Sequence, residues 1–130
     1  MKRKIVIAIA PVKDPGTPLP EQCLNPLTPK QVADQTIACT KVGASLVHLH
    51  VRDEKGRQTA DLTHFSKTLN LIRCESDVII QGSTGGLSSL SLEERYVALD
   101  DDRVEMASLN MGSINFSDDV YINTLPDIRY

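Results

Sequence analysis

The chain has 130 residues, 41% hydrophobic and 24% charged, with a formal net charge of −3. That ordinary globular composition excludes a disordered chain, and an acidic balance with no basic stripe excludes a general nucleic-acid binder. The length allows one domain at most over residues 1–130, and no run approaches the ~18 apolar residues of a membrane span.

Met1-Lys2-Arg3-Lys4 followed by Ile5 to Ala10 imitates a secretory leader. The apolar run is short, and Pro11 directly after Ala8-Ile9-Ala10 would obstruct cleavage, so Lys4 to Ala10 reads as a buried first strand. A long loop with prolines at 11, 15, 18, 20 and 26 follows, a kind of connection that is often functional. Thr28-Pro29-Lys30-Gln31 predicts a helix start: Thr28 as N-cap, Pro29 in the first turn, Gln31 completing a capping box. This helix should reach about Val42 and stop at Gly43. Ser45 to Val51 is the second strand, followed by the polar turn Glu54-Lys55-Gly56-Arg57. A second helix covers Leu62 to Arg73, with Phe65, Leu69 and Ile72 at helical spacing. Asp77 to Gln81 is the third strand and leads into Gly82-Ser83-Thr84-Gly85-Gly86. Ser91-Leu92-Glu93-Glu94 opens a third helix to about Leu99. Glu105 to Asn110 is the fourth strand. Val120 to Asn123 is one more extended run, and Pro126 marks the first turn of a last helix. Strands alternating with helices at about 30-residue intervals predict an α/β protein with parallel βαβ units.

The most specific local signal is His48-Leu49-His50. Side chains two apart on a strand share a face, with Cα atoms roughly 6.6–7 Å apart, so both imidazoles can converge on one metal. They stand at the C-terminal end of a parallel strand, where α/β folds place their sites. Neutral imidazole suits zinc, and three protein ligands with one open position make a catalytic site. No third ligand is obvious in the chain, and His64, at a helix start, reads as a surface residue. The alternative is two ordinary histidines near a strand end.

The same alternation groups Leu46, His48 and His50 with Ile79, Gln81 and Ser83, and with Met106, Ser108 and Asn110. Each row turns from apolar to polar towards its C-terminal end, which predicts a shared polar pocket. Gly82 to Gly86 could form an anion nest, or be a tight turn only. Arg52 and Asp53 read as an ion pair closing the strand end, and Asp100-Asp101-Asp102 as a solvated loop. Cys23, Cys39 and Cys74 are odd in number and form no C-x-x-C, so they read as reduced thiols of a cytoplasmic protein.

Several segments together resemble the β-keto acid cleavage enzymes, whose best known type is the 3-keto-5-aminohexanoate cleavage enzyme of lysine fermentation. These are Leu27-Thr28-Pro29, Gly43-Ala44, Val47 to Asp53, Ser83 to Gly86, Met106 to Phe116, and Val120 to Asn123. The resemblance covers nearly the whole chain in order. It implies a (β/α)₈ TIM barrel with one Zn²⁺ and a reaction in which a β-keto acid and acetyl-CoA give acetoacetate and a new acyl-CoA. It implies His48 and His50 as zinc ligands and Ser83 as the catalytic residue that assists proton transfer. Ser108 would hold substrate, with Asn110 nearby and Thr84, Gly85 and Gly86 lining the site. The family's first strand leads into a Gly-containing loop with a charged site residue. Here no Gly precedes Gly16, and Asp14 or Lys13 would take that role.

A (β/α)₈ barrel takes ~250 residues, and 130 supply about four βα units. The expectation is therefore the N-terminal half of the barrel. The family's third zinc ligand (a Glu), its general base (an Asp) and a substrate-orienting Arg fall outside it. Two open sheet edges would invite pairing with another copy, a homo-oligomer. The competing readings are an inactive fragment of such an enzyme and a small α/β anion-binding module.

Overall fold

The computed structural model describes residues 3–14, 16, 18–86, 89–116 and 118–130. Met1 and Lys2 of the basic start and Pro15 of the proline-rich loop lie outside them. The element order is β1 (Ala8–Ile9), α1 (Pro29–Lys41), β2 (Leu46–Leu49), α2 (Thr63–Arg73), β3 (Ile79–Gly82) and α3 (Leu92–Tyr96). A single 3₁₀ stretch (Val97–Asp100) continues α3, then come β4 (Met106–Ala107), β5 (Ile114–Phe116), β6 (Asp119–Tyr121) and α4 (Leu125–Arg129).

Local chemistry sets the helix starts. The Thr28 hydroxyl accepts from Gln31 N at 3.3 Å while Gln31 Oε1 accepts from Thr28 N at 3.1 Å, the reciprocal capping box. Ser91 with Glu94 and Thr124 with Asp127 repeat the device at α3 and α4. The chain leaves α1 through Gly43 at φ +113°, a left-handed conformation that costs glycine nothing.

Strands β1-β2-β3-β4 form one sheet in sequential order, every neighbouring pair parallel. One face carries the core. Val47, Leu49 and Val51, Ile80 of β3 and Val78 just before it pack against Val32, Ala33 and Ile37 of α1 and Phe65, Leu69 and Ile72 of α2. The helices therefore cover that face, and side-chain alternation sends Leu46, His48, Ile79, Gln81 and Met106 to the other. Ile79 is 37% exposed and Met106 43% exposed, so this second face is only partly covered among the described residues.

Several expected boundaries are corrected. Only Ala8 and Ile9 of the first apolar run pair with β2; Ile5, Val6 and Ile7 are exposed, because no described element lies along that edge. The second strand ends at Leu49, so His50 lies just past it. The third helix tightens into the 3₁₀ stretch before Leu99, and β4 is two residues long. The extended run near Val120 is one arm of an antiparallel hairpin with β5, whose other arm went unread. Arg52 and Asp53 do not pair. Asp53 binds Arg57 at 2.7 Å, and Arg52 Nη1 donates to Gly56 O at 2.5 Å. Asp101 is buried rather than solvated, held by Arg103 and by Ser66 Oγ at 2.8 Å. His64 is half-buried, and its Nδ1 is enclosed with no hydrogen-bond partner among the described residues. The three cysteines are free. No helix among the described residues is long and apolar enough to cross a membrane.

Candidate active site

The polar ends of β2, β3 and β4 open into a pocket of about 340 Å³. That lies within the ~300–1,000 Å³ usual for small-molecule sites. Asp14, His48, His50, Ser83, Gly85, Gly86, Ser108 and Asn110 line it, joined by Gln58 and Tyr121. The parallel register explains the convergence: His48 pairs with Gln81, Leu49 with Gly82, and Gly82 with Ala107. Ser83 and Ser108 follow their strands by one residue, so they stand level with His50.

The two imidazoles meet edge to face, with ring centroids 5.2 Å apart and planes at 83°. Across the strand pair Gln81 Oε1 accepts from His48 Nδ1 at 2.8 Å. The Gln58 amide nitrogen stands 3.3 Å from His50 Nδ1. Burial, with smaller contributions from Arg52 and His48, lowers the His50 pKa to about 4. Its ring is therefore neutral at pH 7, the form that binds a metal. The Arg52 guanidinium beside it is also pushed down by burial, an effect that Asp14 opposes. Two imidazoles at the end of one strand are the ligand type that suits a zinc-type cation, and a cation on His50 Nδ1 would displace the Gln58 amide. Among the described residues no third His, Cys, Asp or Glu completes a cluster around them.

Ser83 is buried, and its hydroxyl is shared locally: it donates to Gly85 O and accepts from Gly85 N, each at 3.3 Å. Thr84 N donates to Ser108 Oγ at 3.1 Å and Thr84 Oγ1 to Ser108 O at 2.6 Å. Thr84 thus ties β3 to β4 and does not line the histidine pocket. The nest reading is corrected by the same bonds, because the amides of Thr84 and Gly85 already have side-chain acceptors. The glycines serve close approach instead. A Cβ on Gly85 would overlap the Tyr121 hydroxyl, and one on Gly86 would overlap the Gln58 amide. Gly86 also sits at φ +133°.

Tyr121 and Gln58 were missed. Tyr121 reaches the pocket from β6, where Asn110 Nδ2 donates to its hydroxyl at 3.1 Å. Buried Asn123 holds the hairpin in place: its N donates to Ser113 Oγ at 2.9 Å and its side chain to Gly112 O at 3.2 Å. Gln58 arrives through the turn closed by its bridge to Arg52. The hairpin could not be seen in short exposed arms, and Gln58 lies in a turn that read only as polar.

The family model of the beta-keto acid cleavage enzymes matches residues 4–130. The chain belongs to the beta-keto acid cleavage enzyme family. It is 37% identical over 130 residues to the 3,5-dioxohexanoate:acetyl-CoA acetone transferase of Paraburkholderia graminis, a match covering 99% of this chain and 42% of that protein. It is 40% identical over 106 residues to the 3-keto-5-aminohexanoate cleavage enzyme of Fusobacterium nucleatum, covering 80% and 39%. It is 39% identical over 115 residues to the 3-oxoadipate:acetyl-CoA acetyltransferase of Cupriavidus necator, covering 85% and 39%. The chain thus spans about two fifths of the length of these curated relatives.

Proposed function

We propose that this chain carries the histidine side of the active site of a β-keto acid:acetyl-CoA cleavage enzyme. The observation that carries the reading is the pocket itself, in which His48, His50, Ser83, Ser108 and Asn110 from three strand ends face one cavity. The relatives add to it, since three of them act, by name, on a keto acid or with acetyl-CoA. We read the sheet as part of a (β/α)₈ wall, because sequential parallel neighbours are the order a barrel needs and a doubly wound sheet lacks.

The net reaction exchanges acyl partners. R–CO–CH₂–COO⁻ and CH₃–CO–SCoA give R–CO–SCoA and CH₃–CO–CH₂–COO⁻. The keto acid loses a proton to form an enolate, whose carbon bonds to the thioester carbonyl and expels CoA thiolate. The thiolate then attacks the R keto carbon, and reverse Claisen cleavage gives R–CO–SCoA and the acetoacetate enolate, which takes back the proton. His48 and His50 would hold a zinc ion, which would supply Lewis-acid chemistry to the keto acid. The chain's own residues bind and orient. The Ser83 hydroxyl, held only by its two long bonds to Gly85, would exchange them to hold the proton in transit. Ser108, Asn110 and the Tyr121 hydroxyl offer hydrogen bonds to the substrate carboxylate and carbonyl oxygens. Asp14 places a negative charge at the rim facing Arg52, and Gly85 and Gly86 leave room for the Tyr121 hydroxyl and the Gln58 amide.

The test is product formation. Protein incubated with zinc, acetyl-CoA and a panel of β-keto acids should release acetoacetate, and Ser83→Ala should lower turnover ~10²-fold or more. No acetoacetate from any acid, with no zinc retained, would overturn the proposal.

A further inference from the structure

Gln81 has no part in the reaction as described, yet it touches the His48 ring of the pocket. Gln81 and His48 are direct partners in the β2–β3 register, so their side chains rise from neighbouring positions on the same sheet face. The contact is 2.8 Å from Gln81 Oε1 to His48 Nδ1. With the Gln81 amide turned oxygen-first to the ring, the imidazole is the donor and Nδ1 carries the hydrogen. A neutral imidazole holds one N–H, and Nε2 then keeps its lone pair. An unconstrained imidazole in water favours the opposite, Nε2–H form. Edge-on packing against His50 and this bond together orient the ring.

We propose that Gln81 is a positioning residue that fixes His48 as the Nδ1–H tautomer and so presents Nε2 to a divalent cation in the histidine pocket. The tautomer stands on the geometry alone, and the cation rests on the function proposed above. Partners on the far nitrogen of a metal-binding histidine set ring orientation and basicity, and their loss typically weakens metal binding ~10–100-fold.

The chain labelled with ¹⁵N-histidine separates the two parts. Long-range ¹H–¹⁵N spectra, recorded without metal at about pH 8 where an ordinary histidine is neutral, should place the His48 proton on Nδ1. Gln81→Leu should move it to Nε2. Gln81→Glu, whose carboxylate also accepts, should keep it on Nδ1. Zinc affinity, measured by competition with a chromophoric chelator, should fall ~10–100-fold in Gln81→Leu and stay within a few-fold in Gln81→Glu. A proton on Nε2 in the unmutated chain, or the same tautomer in Gln81→Leu, would overturn the proposal. So would unchanged zinc affinity in Gln81→Leu. The unmutated spectrum decides the tautomer even if a variant fails to fold. An unmutated chain that binds no zinc would sink the metal part of the proposed function, while the tautomer would still be settled by the spectra.

Discussion

Asp101→Asn tests how β4 is held beside β3. Asp101 sits at the turn into β4 and is almost fully buried. Its carboxylate accepts from Arg103 Nε at 2.7 Å and Arg103 Nη2 at 2.5 Å, and from Ser66 Oγ of α2 at 2.8 Å. The Arg103 side-chain bonds first, then the Ser66 hydroxyl and the Arg103 amide, lower its pKa from 3.8 to about 2 against an opposing effect of burial. At about 1.36 kcal/mol per pH unit, the difference contributes roughly 2 kcal/mol of stability at neutral pH. The folded value lies below the unfolded one. The contribution is therefore complete above about pH 4 and disappears as pH falls through about 2. Urea unfolding of the two proteins at pH 7 should differ by roughly 2 kcal/mol, with the gap closing towards pH 2. A gap that stays constant down to pH 2, or no gap at pH 7, would refute the clamp.

Two other perturbations address the core and the pocket floor. Leu69→Ala removes a fully buried side chain between α1, α2 and the sheet, and should cost about 2–5 kcal/mol by urea or thermal unfolding. Gly85→Ala would place a methyl over the Tyr121 hydroxyl, 2.8 Å from Tyr121 Cζ and 3.0 Å from Asn110 Nδ2. It should cost about 1–3 kcal/mol, and Tyr121→Ala in that background should recover most of the loss. A strictly additive double variant would show that the tyrosine does not fill that space.

What the sequence made legible follows the strength of its local chemistry. The capping boxes at Thr28 and Ser91 located two helix starts, because a hydroxyl and a Gln or Glu three residues on satisfy the same amides wherever they occur. The alternation through His48, Gln81 and Ser83 put the right residues on one face, since a parallel strand's period is fixed by its backbone. Strand lengths were overestimated because apolar residues mark burial, and burial of Ile5 to Ile7 depends on a neighbour that the described residues do not include. The pairing of Asp53 with Arg57 rather than Arg52 turns on the tight 54–57 turn, which brings residue 57 back beneath 53. Tyr121 stood in a motif already noted, but its reach into the pocket depends on a hairpin whose arms are exposed and weakly patterned. Gln81 lay on the right face, yet only the strand register shows which nitrogen it touches.

The central claim is that the β2 end holds a catalytic cation through both histidines. Calorimetric titration of the chain with Zn²⁺, beside His48→Ala and His50→Ala, tests it most directly. We predict one site in the unmutated chain that weakens at least ~10-fold in each variant, with far-ultraviolet circular dichroism unchanged. Equal zinc binding in all three, or none in the unmutated chain, would contradict the account.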